Sequence, residues 1–301
     1  MPSAIGQGLI WGLMAIGVYI SFRILDLADL TVDSSFCTGA ATCVIMIMNG
    51  YNMFVALICA FIVGLIAGAI TGLIITKCGI PAILAGILTQ LGLYSVNLHI
   101  MGIGTDVGAK SNLAVSVDNY DLLVSSRYVR NLNLDNPIFR TLIICILAVV
   151  LLYWFFGTEF GCSIRSTGSN EQMSRAQGIN TDITKIFGLA LSNGFVALSG
   201  ALFAQYQGFS DINMGRGAIV IGLAAVIIGE VLFSKVLRNF AGKLVSCILG
   251  AIIYYIVIQF VLKLGLSTDD LKLLTAIVVM IFLAVPYWKK NLASKKMKGA
   301  K

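Results

Sequence analysis

Uninterrupted apolar stretches decide what this chain can fold into. The longest, MFVALICAFIVGLIAGAITGLIIT at 53–76, carries no charge over 24 residues. At about 1.5 Å per helical residue it exceeds the roughly 30 Å hydrocarbon core of a bilayer. Backbone inside lipid has no water to bond, so such a run must be a helix that satisfies its own N–H and C=O groups. Nine apolar segments follow on this rule: 4–22, a short run at 36–48, 53–76, 82–101, 138–156, 186–205, 217–233, 241–262 and 272–288. The composition, 58% hydrophobic and 12% charged, belongs to no soluble domain. The expected fold is all-α: one polytopic membrane domain over 1–301, with about nine transmembrane segments and one or two broken or short helices. The opening MPSAIGQG has no basic n-region, so the first run reads as an uncleaved span. Cys59, Cys145 and Cys247 fall inside spans and read as reduced packing residues, since the seven cysteines include no CxxC pair.

Alternating crossings define two sides, and the basic residues choose between them. The side with Arg23, Lys77, the stretch 157–185, Lys235, Arg238, Lys243 and the basic tail 289–301 holds 14 Lys and Arg against 6 acids. The other side, with the loop 102–137, holds 7 of each. The first side is therefore expected in the cytoplasm, with the N-terminus outside and the C-terminus inside. Glu230, near the inner end of its span, is expected to pair with Lys235 or Arg238.

Thirteen helical residues at 36–48 reach only about 20 Å, so the preceding break LDLADLTVDSS reads as lying partly at membrane depth. Irregular backbone at that depth survives where it is buried in protein or lines a wet cavity. Asp26, Asp29 and Asp33 would face such a cavity or the inner rim, and Asp33 or Ser34 would cap the half-helix. The competing reading is a solvated turn. Gln90 and Asn97 share one face of the fourth segment with Gly86 and Tyr94, and Asn193 lies mid-span in the sixth. Polar groups there mark either a pathway or interhelical hydrogen bonds. Small-xxx-small stripes at Gly64, Gly68 and Gly72, and at Ala218, Gly222, Ala225 and Gly229, predict close helix packing. The sixth segment, a break and the two segments after it echo the start of the chain, which raises inverted repeats as an alternative to chance similarity.

The polar island GTEFGCSIRSTGSNEQMSRAQGINTDITK at 157–185 reads as loop, short helix, loop. Ser169 with Gln172 forms a capping box, Glu171 sits in the first turn, and Gly178 supplies a left-handed stop. Met173 and Ala176 give the helix a small apolar face, flanked by Arg175 and Gln177. Two readings stand: a docking element, or an ordinary loop. No GxxxxGK[ST] loop, HExxH or Cys/His cluster occurs, and no nucleophile–base pair can be argued, so nothing marks an enzyme or a metal site. Energy for any transport would come from an ion gradient or a partner.

The island and the following GLALSNGFVALSGALFAQYQG resemble the permease subunits of ABC importers of the branched-chain amino-acid and ribose permease superfamily. The signature residues are Thr158, Gly161, Arg165, Gly168, Asn170, Gly178, Ile179 and Asn180. ADLTVDSSFCTGAA is similar to a second family segment through Asp29, Leu30, Val32 and Ser34, with Thr31 a conservative change. Asp33 stands where the family has glycine. The resemblance spans 12–283, and the opening GLIWGLMAIGVYISFRILDLADLTVD is most similar to a branch linked to amino acids, aromatic ones included. It implies a permease homodimer in the bacterial plasma membrane and a cytoplasmic ATPase that uses ATP and Mg. It also implies an extracytoplasmic substrate-binding lipoprotein and a coupling helix in the island around Arg165, Gly168, Asn170, Glu171, Met173, Arg175, Ala176, Gly178 and Ile179. It implies no cofactor on this chain and no nucleic-acid partner. The competing class is an ion-coupled carrier or channel; the competing substrates are a sugar or a nucleoside.

Overall fold

The computed structural model describes residues 2–103, 108–115, 120, 122–127, 136–233, 237, 239–263 and, beyond these, 273, 275–277, 279–281 and 284. Ten α-helices are delimited among the described residues: α1 (Pro2–Val18), α2 (Val32–Met48), α3 (Met53–Lys77), α4 (Ala82–Gly102), α5 (Pro137–Phe156), α6 (Glu159–Ser169), α7 (Glu171–Ala176), α8 (Thr181–Gln207), α9 (Ala218–Phe233) and α10 (Phe240–Lys263). Tyr19–Ile24 extends α1 as a π-helical turn. Among the described residues, six helices are long and apolar enough to cross a membrane, and α2 and α9 are shorter apolar helices. The ninth apolar segment falls largely outside the described residues; those described within it are helical.

The centre of the bundle is α1 crossed by α8, the two most enclosed spans. They run antiparallel: Ser199 Oγ donates to the Ile10 carbonyl and Ser192 Oγ to the Gly17 carbonyl, both at 2.7 Å. Apolar helices gain nothing from hydrophobicity inside lipid, so close backbone approach and such hydroxyl bonds must hold them. The glycine stripe of α3 does this. A Cβ on Gly64 would strike Asn193 and Ala197 of α8, one on Gly68 would strike Leu189, and one on Gly72 would strike Ile186. In the same way, Gly8 and Gly12 of α1 sit against Ile252 and Ile248 of α10.

These packings form mirrored pairs. Helix α3 packs along α8 as α10 packs along α1; α2 packs on α8 as α9 packs on α1; α2 lies beside α3 as α9 lies beside α10. With α1 and α8 antiparallel, this swapped pattern of packing is the one that inverted repeats would give. On the far side of the bundle from α6 and α7, β1 (Asn112–Ala114) pairs antiparallel with β2 (Phe209–Asp211). This short ribbon ties the 102–137 loop to the end of α8.

Two expectations change. Helix α2 begins at Val32 and has 17 residues, about 25 Å, so the break before it is shorter than the hydropathy suggests. Thr31 stands at its N-cap position without a side-chain bond, so neither Asp33 nor Ser34 caps it. Glu230 pairs with Arg23 at 2.9 Å, an ion pair across 207 residues of sequence; Lys235 and Arg238 lie outside the described residues.

Candidate functional site

The island is two helices. Thr158 accepts the Gly161 amide at 3.3 Å and starts α6, which continues through Ser169. Ser, Thr and Gly dominate this helix, so propensity alone would not hold it. Docking does. Gly168 lies so close to the π-helical turn that a Cβ would collide with the Ile24 carbonyl, and Thr167 Oγ1 meets Thr184 Oγ1 at 2.9 Å.

One residue separates α6 from α7. Asn170, extended at φ −158, accepts the Met173 amide at 3.0 Å. The cap is therefore Asn170, and the expected Ser169–Gln172 box does not form, because Ser169 is still helical. Gly178, at φ 83, supplies the expected left-handed stop, and the Ile179 amide returns to the Ser174 carbonyl at 3.0 Å.

Six residues of helix are unstable alone. Ser174 is fully buried, with its Oγ 2.8 Å from Ser166 Oγ. Glu171 Oε1 lies 2.7 Å from Lys185 Nζ and 2.9 Å from Arg175 Nη2. Arg175 also donates to Thr181 Oγ1 at 2.7 Å and to Asp182 Oδ1 at 3.2 Å. Lys185 holds the Glu171 carboxyl below the usual carboxylate range, with Arg175 adding to the effect. Arg175, though exposed, thus clamps α7 onto the start of α8. That face stays bare: Met173 is 58% exposed, and Ala176 and Gln177 are exposed beside it. Arg165 is exposed on α6, its guanidinium 5.2 Å over the Phe240 ring.

The polar residues expected along a pathway fall into separate groups. Asp26 is exposed and left-handed at φ 55. Asp29 is only 3% exposed. Its Oδ1 accepts the Thr31 amide at 2.9 Å, and its Oδ2 accepts Asn193 Nδ2 at 2.6 Å. Asp33 leaves its own helix: its carboxylate accepts the Gly217 amide at 3.0 Å and the Ile219 amide at 2.9 Å, capping α9. The three acids therefore do not form one cluster. Ser34 Oγ donates to the Gln90 carbonyl at 3.0 Å, and Asn97 Nδ2 reaches the Ser34 carbonyl at 3.4 Å, so α4 is tied to α2. Gln90 is half-buried, Asn97 is buried, and Tyr94 is exposed, so the four-residue face of α4 splits between interior and surface.

Sequence reasoning missed Lys185, Thr31 and Thr71. The Thr31 and Thr71 hydroxyls meet at 2.9 Å and join the Asp29 loop to α3. Lys185, fourteen residues after Glu171, gives no helical-spacing signal because a turn lies between them.

Comparison with known proteins agrees with this architecture. The family described as branched-chain amino acid transport system, permease component, matches residues 2–284. A tyrosine transport system permease protein of Clostridioides difficile (strain R20291) is 40% identical over 282 residues, covering 94% of this chain and 90% of its own length. An uncharacterised protein of Rickettsia prowazekii (strain Madrid E) is 34% identical over 284 residues, covering 94% and 96%. An autoinducer 2 import system permease protein of Yersinia pseudotuberculosis serotype O:1b is 27% identical over 249 residues, covering 79% of this chain and 63% of its own length. With the match running from α1 through the island and past α10, the chain belongs to the branched-chain amino acid transport system permease family, the membrane-spanning subunits of ABC importers.

Proposed function

We propose that this chain forms the translocation pathway for an amino acid, with an aromatic one such as tyrosine the first to test. Helix α7 would receive the stroke of a cytoplasmic ATPase. One transmembrane domain over 1–301 would serve, with 102–137 outside to meet a substrate-binding lipoprotein. The stretch 157–185 and the tail 289–301 would lie inside, in a bacterial plasma membrane. Two copies would pair around the pathway. This chain would bind no ATP or Mg; the partner would use both.

The observation that carries the reading is the two-sidedness of α7. Its inner side is capped, hydroxyl-bonded and clamped by ion pairs, while Met173 and Ala176 are bare on its outer side. A helix that only closed a loop would gain nothing from an exposed methionine. A helix that transmits force needs both a rigid seat and a free contact face. The substrate class is supported by the C. difficile relative's name, and the side on which the ATPase would dock by the excess of basic residues there.

The test is Ala176→Glu. Burying a carboxylate in an apolar contact costs several kcal/mol. A cytoplasmic ATPase that co-purifies with the wild-type permease should then be lost, while the permease is still inserted and folded. Retention of the ATPase by the variant would remove α7 as the contact. Tyrosine uptake that continues after ATP depletion would instead point to an ion-coupled carrier.

A further inference from the structure

Two hollows meet at the end of the bundle that carries α6 and α7. The first, about 380 Å³, is walled by Arg23, Arg165, Lys243, Glu230 and Tyr19. It holds three cations and one carboxylate, and that carboxylate is taken by Arg23 at 2.9 Å. Among the described residues, no acid pairs with Arg165 or Lys243. The second, about 430 Å³, is walled by Tyr153, Trp154, Phe156, Gly157 and Thr158. Arg165 and Phe240 belong to both, and the guanidinium stacked on the Phe240 ring is the partition between them. A basic hollow thus lies next to an aromatic one, across the Arg165–Phe240 pair. Tyr153 and Trp154, on the second, are 58% and 69% exposed and lie at the last turn of a span, the depth at which amphipathic rings sit at a membrane interface.

We propose that these adjoining hollows hold one anionic phospholipid of the leaflet on that side, its phosphate between Arg165 and Lys243 and its chains lying over Tyr153 and Trp154. Basic pockets between transmembrane helices on the cytoplasmic side suit such headgroups. Arg165 is already oriented by its ring, so less freedom is lost when it binds. Free phosphate would be served by the basic hollow alone and would leave the aromatic one without purpose. The ligand therefore has both a charged end and an apolar one. The basic hollow reaches Gly168 and Ser169 at the end of α6, next to the start of α7, so an occupied site would brace the same unit. The site rests on the permease fold and not on the choice of transported solute.

The experiment is native mass spectrometry of the full-length permease released from nanodiscs of equal phosphatidylglycerol and phosphatidylethanolamine. A second arm titrates inorganic phosphate. Phosphatidylglycerol should be retained preferentially, and Lys243→Gln should weaken it about fivefold, the effect of one cation near an anionic surface. Lys243→Arg should keep it. Trp154→Ala should weaken the lipid without creating phosphate binding. Lys243 and Trp154 are both exposed, so neither change empties a core, and an unchanged elution profile checks folding. Three results would overturn the proposal: equal retention of both lipids, wild-type retention by Lys243→Gln, or displacement of the lipid by millimolar phosphate, which would make this a small-anion site.

Discussion

Asp29→Asn changes one atom and no volume, so its consequences can be followed bond by bond. The new side chain keeps an oxygen for the Thr31 amide, now 2.9 Å from Oδ1. Its amide nitrogen then occupies the place of Oδ2 and faces Asn193 Nδ2 across 2.6 Å, donor against donor. Asn193 can relieve this by turning over, because its own Oδ1 is buried with no partner. The turn sacrifices its 3.0 Å bond to the Leu189 carbonyl. At best, therefore, a bond to a carboxylate becomes a neutral one. Bonds to charged groups contribute about 1.5–3 kcal/mol. Neutral interhelical bonds in membranes average about 0.6 kcal/mol. The expected loss is their difference, about 1–2 kcal/mol, or roughly a 5- to 30-fold shift in the folding equilibrium. The assay is thermal melting of the purified permease, with uptake measured in the same cells. The reciprocal exchange, Asp29→Asn with Asn193→Asp, restores one donor to one acceptor and should recover part of the melting temperature. An unchanged melt for Asp29→Asn, or no recovery in the double variant, would refute the bracing argument. Uptake that falls while the melt holds would give Asp29 a pathway role.

The remaining predictions concern the island and the sidedness of the chain. Because the Glu171 pKa is lowered in the folded protein, the clamp's contribution is complete above the ordinary carboxylate value of about 4.3 and is lost as pH falls through the lowered one. Hydrogen-exchange protection of the Met173 and Gln177 amides should hold from neutral pH down to that range and then drop; a pH-independent Glu171→Gln variant is the control, and protection unchanged in acid would remove the clamp. With exposed Cys78 and Cys162 replaced by serine, a cysteine at Gln177 should react with an impermeant reagent only from the cytoplasm, and one at Tyr51 only from outside. The reverse pattern would invert the assigned orientation.

Spans and packing stripes were legible because both are written locally: a span is a run of apolar residues, and a stripe is a four-residue period. The Gly178 stop was legible for the same reason, since a left-handed turn needs little beyond its own glycine. The cap was misplaced by one residue because Ser169 and Asn170 are both good caps. What decides between them is how far α6 extends, and that depends on Gly168 meeting Ile24, a contact no local pattern encodes. Asp33 shows the same limit. It was expected to cap its own helix, and it is bonded to amides more than 180 positions away. Polar groups are scarce in lipid, so a nearby partner is only one of the candidates, and the fold selects among them.

The cap that Asp33 places on α9 bears on how the chain is made. Helix α9 has 16 residues, about 24 Å, and it starts after Gly215–Arg216–Gly217, which offers no capping side chain of its own. Its first amides are satisfied by a residue synthesised some 184 positions earlier. As α9 leaves the ribosome and the insertion machinery, α2 must already stand in the membrane with its first turn turned toward the newcomer. Biogenesis is thus ordered: the amino-terminal half acts as a template that the carboxyl-terminal half completes. A separately expressed second half would reach the bilayer with α9 unfinished.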